Sequence, residues 1–269
     1  MKTVLLLVHD DPGQEARLRA ALDLVRAIDG HLHCLHVTAI PADVAEYALL
    51  GGNALLLGDE EQRETEHRTR ITRRLNAESV VFGWQEATGE LAEMIGLGAA
   101  FVDVIVSNTD LHDSTGPDMR RVAGEITIAV GRPVLAVPKV MTGLAPNGRA
   151  IIAWDGSDDA EDAVRAAVPL LALARDVEIL TVDDGSTAIP AKAVARYLSH
   201  YGIDARIKIE KTLTARPADH ILAAVSGEQA EWVVMGAYGH ARFLEHLFGG
   251  TTRTMLRDSP APLFLVHHR

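Results

Sequence analysis

Glycines and threonines in the last third of the chain have the types and spacing of a phosphate cradle. They run Gly236-Ala237-Tyr238-Gly239, nine residues, then Gly249-Gly250-Thr251-Thr252. Without a Cβ, glycines at 236 and 239 would let a ligand approach backbone amides. Gly249 to Thr252 fall at the start of a predicted helix, where free N–H groups, hydroxyls and the helix dipole favour an anion. Asp155, which ends an apolar run over 150–154, offers an acceptor for a ribose or a base, although read alone it is better taken as a helix cap. Thr251 and Thr252 can also serve only as caps. Arg242 and Arg253 read as solvated helix charges before they read as phosphate partners.

Other chemistry is thinly represented. His31 and His33 share a strand face by alternation, but no Cys or carboxylate accompanies them at ligand spacing, so core or edge roles suit them better than a metal. His240 and His246 flank the glycine segment without a nucleophile partner, and His267-His268 read as solvated. No paired base and nucleophile is found, so neither catalytic nor metal-ligating residues are expected. Cys34 is the single cysteine and lies in an apolar run, which suits a buried small hydrophobe and a reducing compartment. The net charge of −11 argues against nucleic-acid or anionic-membrane partners. The apolar start Thr3–Val8 is interrupted by His9-Asp10 and lacks a cleavage site, and no run approaches the roughly 20 apolar residues of a membrane span. The expectation is a cytoplasmic protein.

The elements that must position these residues occur twice. At an offset of 145, the strand ending in His9-Asp10, the helix carrying Ala16, Ala20, Leu24 and Ala27, and the strand Leu32–Val37 superpose on their counterparts up to Val182. At an offset of 129, Arg132–Val137 superposes on Ala261–Val266. The difference assigns about 16 extra residues to the first half, and Pro41 to Asp59, broken by Gly51-Gly52-Asn53 and Gly58-Asp59, is their natural place. Val140 to Arg149 reads as a linker, giving domains 1–140 and 148–269. In the second half the strands are predicted at 150–154, 177–182, 205–210, 231–235 and 262–267, and the helices near 157–174, 190–202, 216–228 and 250–258. Apolar strands alternating with helices imply a parallel sheet covered on both faces, and such sheets bind ligands at the carboxyl edge, at a topological switch point.

The Gly-x2-Gly-x9-Gly segment after a strand, the Trp154-Asp155-Gly156-Ser157 turn and the closing Pro260-Ala261-Pro262-Leu263-Phe264-Leu265-Val266 together resemble the ATP-binding universal stress proteins. The resemblance covers most of 150–269 and, more weakly, 1–138. It implies two adenine nucleotide α-hydrolase-like α/β domains, each a five-stranded parallel sheet of order 3-2-1-4-5 flanked by helices. It also implies that Ala153, Trp154 and Asp155 meet the adenosine end and that the Val182 backbone flanks adenine. Met235, Gly236, Tyr238 and Gly239 would line ribose and phosphates, and Gly249, Gly250, Thr251 and Thr252 would hold the phosphates. The family usually has Ser or Thr where this chain has Gly250, so one hydroxyl is lost. At the 129 offset, Gly236, Gly239, Gly249 and Gly250 face Ser107, Asp110, Arg120 and Arg121, which makes the first half a degenerate, structural partner.

The resemblance implies an adenine nucleotide, ATP, ADP or AMP with or without Mg²⁺, in the C-terminal half of a stress-response or regulatory protein with little or no turnover. A nucleotide-free scaffold working through protein contacts and a slow ATP-hydrolysing enzyme are the competing readings. No Walker lysine and no Gly-x-Gly-x-x-Gly favours an enzyme. The duplication predicts an intramolecular pseudo-dimer joined through the final strands Val134–Val137 and Leu263–Val266. A homodimer of whole chains is compatible with this, but no residue marks one.

Overall fold

The computed structural model describes residues 1–38, 54–109, 122–183, 189–211, 216–238 and 250–268. The first half runs β1 (Thr3–Val8), α1 (Gln14–Ile28), β2 (His31–Thr38), α2 (Ala54–Ala77), β3 (Phe82–Thr88), α3 (Leu91–Gly98), β4 (Val104–Asn108), α4 (Val122–Val130) and β5 (Val134–Val137). The second runs β6 (Arg149–Ala153), α5 (Asp158–Leu171), β7 (Asp176–Asp183), α6 (Ala191–Ser199), β8 (Ala205–Lys211), α7 (Pro217–Gly227), β9 (Trp232–Gly236), α8 (Gly250–Asp258) and β10 (Leu263–Val266). All strands and helices predicted for the second half are present, with ends shifted by a few residues.

The strands form one sheet of order β3-β2-β1-β4-β5-β10-β9-β6-β7-β8. Each half is parallel and has the 3-2-1-4-5 order. The halves meet antiparallel through their final strands, with Leu263 opposite Ala136, Phe264 opposite Leu135 and Leu265 opposite Val134. This pairing removes two apolar strand edges, whose unpaired backbone groups would otherwise have to be solvated or covered. Strands β1, β4, β5, β9 and β10 are buried almost throughout because helices cover both faces. Helices α1, α2, α5 and α6 share one apolar cluster that runs across both halves. On the opposite face, α7 and α8 pack with Ile151, Met235 and Leu263, and α4 of the first half adds Ala123 to that cluster.

Two sequence readings are corrected. Gly58 and Asp59 do not break regular structure, because they lie inside α2, which spans 24 residues against nine in its counterpart α6. The rest of the expected insertion, 41–53, lies outside the described residues. The repeat offsets are also wrong by one residue at two strands. Val4, Leu6 and Val8 line the same cluster as Ala150, Ile152 and Trp154, so β1 matches β6 at an offset of 146, whereas β2 matches β7 at 145. Likewise Val104 and Val106 share the cluster with Trp232 and Val234, an offset of 128. A one-residue slip puts every side chain on the wrong face, so burial decides the register. His9, not Asp10, therefore stands where Asp155 does, and Asn108, not Ser107, stands where Gly236 does.

Candidate functional site

At the centre of the second half, β6 and β9 run side by side, with Ala153 opposite Met235. Helices leave them on opposite faces: α5 after β6 packs on β9 and β10, while α8 after β9 packs against α7. This is the switch point of the sheet, and in open parallel sheets the carboxyl edge at such a point is where a ligand crevice forms.

The turn after β6 is built by its own side chains. Asp155 Oδ1 accepts the Ser157 N–H (3.0 Å) and the Ser157 hydroxyl (2.6 Å), and Ser157 Oγ in turn accepts the Ala160 N–H (3.2 Å). The helix cap is thus Ser157, and Asp155 holds the cap in place while remaining exposed at the crevice. Asp158, Asp159 and Glu161 in the first turn complement the helix dipole. Trp154 points to the α5–α6 face, where its indole N–H donates to Ile189 O at 2.8 Å, while Ala153 and Met235 belong to the α7–α8 face. Trp154 can therefore meet a ligand in the crevice only through its backbone. Val182 is half-buried on β7, the strand beside β6.

Gly236 has a structural reason to be glycine. A Cβ there would lie 2.6 Å from Ala160 N and 2.7 Å from Asp159 C, against the first turn of α5. The same turn is held by Asp159, whose Oδ1 accepts the His268 N–H at 2.9 Å and lies 2.7 Å from His267 Nδ1. His267 is half-buried in this contact, which corrects its reading as a solvated terminal residue. Beyond Gly236, Tyr238 has φ +67°, and its N–H donates to Thr252 Oγ1 at 3.3 Å. Thr252 is buried in α8, Thr251 is half-buried, and Gly250 is exposed with nothing within 4 Å of its would-be Cβ. Gly239 and Gly249 lie outside the described residues, as do Arg242, His240 and His246.

The first half is built differently at the same place. Arg17 is fully buried, and its guanidinium donates to Leu7 O (3.1 Å), His9 O (3.2 Å), both Asp11 carboxylate oxygens (3.0 and 2.7 Å), Gln14 Oε1 (3.2 Å) and Asn108 Oδ1. Asn108 Nδ2 donates to Val137 O at 3.0 Å. Where the second half has the bare Gly236, the first half has an amide locked into a cationic network. His9 is held below the usual imidazole pKa, chiefly by burial and also by the Arg17 charge. His67 of α2, only 2% exposed, is pushed down to about 4, chiefly by burial, and its Nε2 lies 3.7 Å from Asp10 Oδ1. Sequence reasoning missed Arg17 and His67, because an Arg and a His on amphipathic helices give no sign of burial. Cys34 is buried with its thiol pushed up to about 12, an inert small side chain as expected.

Residues 191–267 match the model of the universal stress protein family. That match runs from α6 to just past β10 of the second half. A universal stress protein from Archaeoglobus fulgidus DSM 4304 shares 17% identity over 98% of both chains, with a TM-score of 0.76. A functionally unknown protein from Pseudomonas aeruginosa PAO1 shares 16% identity over 99% of this chain and 92% of its own, at 0.59. Both likenesses extend through the two halves, so the fold of the whole chain is the one these structures share. A universal stress protein in complex with cAMP aligns with 46% of this chain and all of its own, at 19% identity and a TM-score of 0.38. No curated protein matches the chain. Among the described residues, no helix is long and apolar enough to cross a membrane.

Proposed function

We propose that each chain binds one adenine nucleotide, ATP, ADP or AMP, in the crevice of its C-terminal half, and that it serves a stress-response or regulatory role with little or no turnover. The observation that carries this reading is the contrast between the two switch points. In the second half an exposed carboxylate, Asp155, follows β6, and Gly250, the first residue of the helix α8 that comes after the neighbouring strand β9, is open to solvent. In the first half the equivalent point is filled by Arg17 and Asn108. Amides at the start of α8 suit phosphates, and Asp155 suits the ribose hydroxyls. Among the described residues no three His, Cys, Asp or Glu side chains converge as metal ligands. A Mg²⁺ would therefore enter on the phosphates themselves. The same reading makes the N-terminal half, residues 1–140, a degenerate partner and the protein cytoplasmic.

The test is mass spectrometry of small molecules released on denaturation, followed by isothermal titration with ATP, ADP and AMP. One site per chain for at least one of them is expected. Two sites per chain would refute the assignment to one half. No binding at millimolar nucleotide would leave a nucleotide-free scaffold. That second reading draws on Gly236 and Thr252, which have structural partners that need no ligand.

A further inference from the structure

Tyr238, two residues beyond β9, is anchored in the other half of the molecule. Tyr238 has a left-handed backbone, unusual for an aromatic residue, and such conformations persist only where surrounding contacts impose them. One contact is local: the Tyr238 N–H on Thr252 Oγ1 ties Tyr238 to the start of α8. The other crosses between the halves. The ring packs on the cluster formed by Met235, Ala237 and Met255 together with Ala123 and Ala136 of the first half. Its hydroxyl lies directly against Gly124 of α4. A Cβ built on Gly124 would overlap Tyr238 Oη and stand 3.4 Å from Cζ. The missing side chain at 124 is therefore the seat of the tyrosine. Burial, with the Glu125 carboxylate of the same helix second, pushes the phenol pKa up to about 12, so the group seated there is a neutral hydroxyl.

We infer that helix α4 of the first half sets the position of Tyr238 and, through it, of the N-terminus of α8 at the proposed nucleotide site, with Gly124 as a positioning residue that acts through Tyr238. The route is short and made of covalent and packed links: α4, the Tyr238 ring, the Tyr238 backbone, Thr252 and the N-terminus of α8. The two final strands, β5 and β10, hold the halves in one sheet, which keeps α4, the helix before β5, on the same side as Tyr238. The degenerate half is then a required part of the binding site, although it holds no ligand of its own. This rests on the proposed nucleotide reading, and the experiment separates the two.

The variants are Gly124→Ala and Gly124→Ala/Tyr238→Phe in the full chain. The alanine methyl collides with the hydroxyl, and the phenylalanine removes that oxygen while keeping the ring. Isothermal titration with ATP and AMP should show affinity lowered by about tenfold or more in the single variant and largely recovered in the double, a coupling expected only for groups in contact. Amide hydrogen exchange, measured without nucleotide, should show faster exchange over 250–256 in the single variant and recovery in the double. Nucleotide binding by Gly124→Ala equal to that of the parent chain would overturn the inference, as would a double variant that fails to recover affinity. If the parent chain binds no adenine nucleotide, the functional reading falls. The positioning role then stands or falls on the exchange result alone: unchanged protection over 250–256 in Gly124→Ala overturns it.

Discussion

Gly236→Ala distinguishes a glycine kept for packing from one kept for a ligand. The added methyl carbon would sit 2.6 Å from Ala160 N, 2.7 Å from Asp159 C and 2.8 Å from Asp159 Cβ. These atoms belong to the first turn of α5, so no rotamer change can relieve the overlap. The turn is also pinned, by the Ser157 cap on one side and by the His267 and His268 contacts of Asp159 on the other. Either α5 or β9 must shift, and forcing a methyl into a packed interior costs roughly 1–3 kcal/mol. In a chain of this size each kcal/mol lowers the melting temperature by about 2–4 °C. Urea unfolding followed by circular dichroism, on protein freed of small molecules, should show the lower midpoint with an unchanged m-value. An unchanged midpoint accompanied by lost nucleotide binding would refute the reasoning and return Gly236 to the ligand.

Gly250→Ala should behave in the opposite way, because its Cβ meets nothing within 4 Å; the melting temperature should hold while titration shows weaker nucleotide binding. Arg17→Met should destabilise the chain by about 3–5 kcal/mol, since it leaves the nearly buried Asp11 carboxylate without its cation. Denaturant unfolding reads that loss, and the stoichiometry of nucleotide binding should stay at one. Below neutral pH the chain should lose stability through His67. Its folded pKa, about 4, lies below the ordinary value of 6.5, so the unfolded state takes up the proton first. The contribution is complete above pH 6.5 and is lost as the pH falls towards 4. His67→Leu should flatten the urea midpoint over that interval, and an unaltered slope would count against burial as the cause.

The sequence by itself determined the class of fold and its repetition, and it marked the segment of the second half on which the functional proposal rests. Those features are local: apolar strand runs, helical spacing and turn residues act on their own neighbours, and the Gly-x2-Gly-x9-Gly segment can be read without knowing what packs on it. The registers of β1 and β4 were beyond it, because an apolar run with no polar face looks the same after a slip of one residue. Only the two clusters on either side of the sheet show which residues align. The same holds for side chains whose meaning lies in distant partners. Gly236 is defined by the first turn of α5, some 80 residues earlier in the chain, Arg17 by Asn108, and Gly124 by Tyr238. Asp155 and Ser157 are two residues apart, yet which of them caps α5 depended on backbone geometry, since both can accept an amide hydrogen. Tertiary structure decided these points because burial and close approach are properties of the packed chain, and a glycine or an arginine carries no mark of either in its own segment.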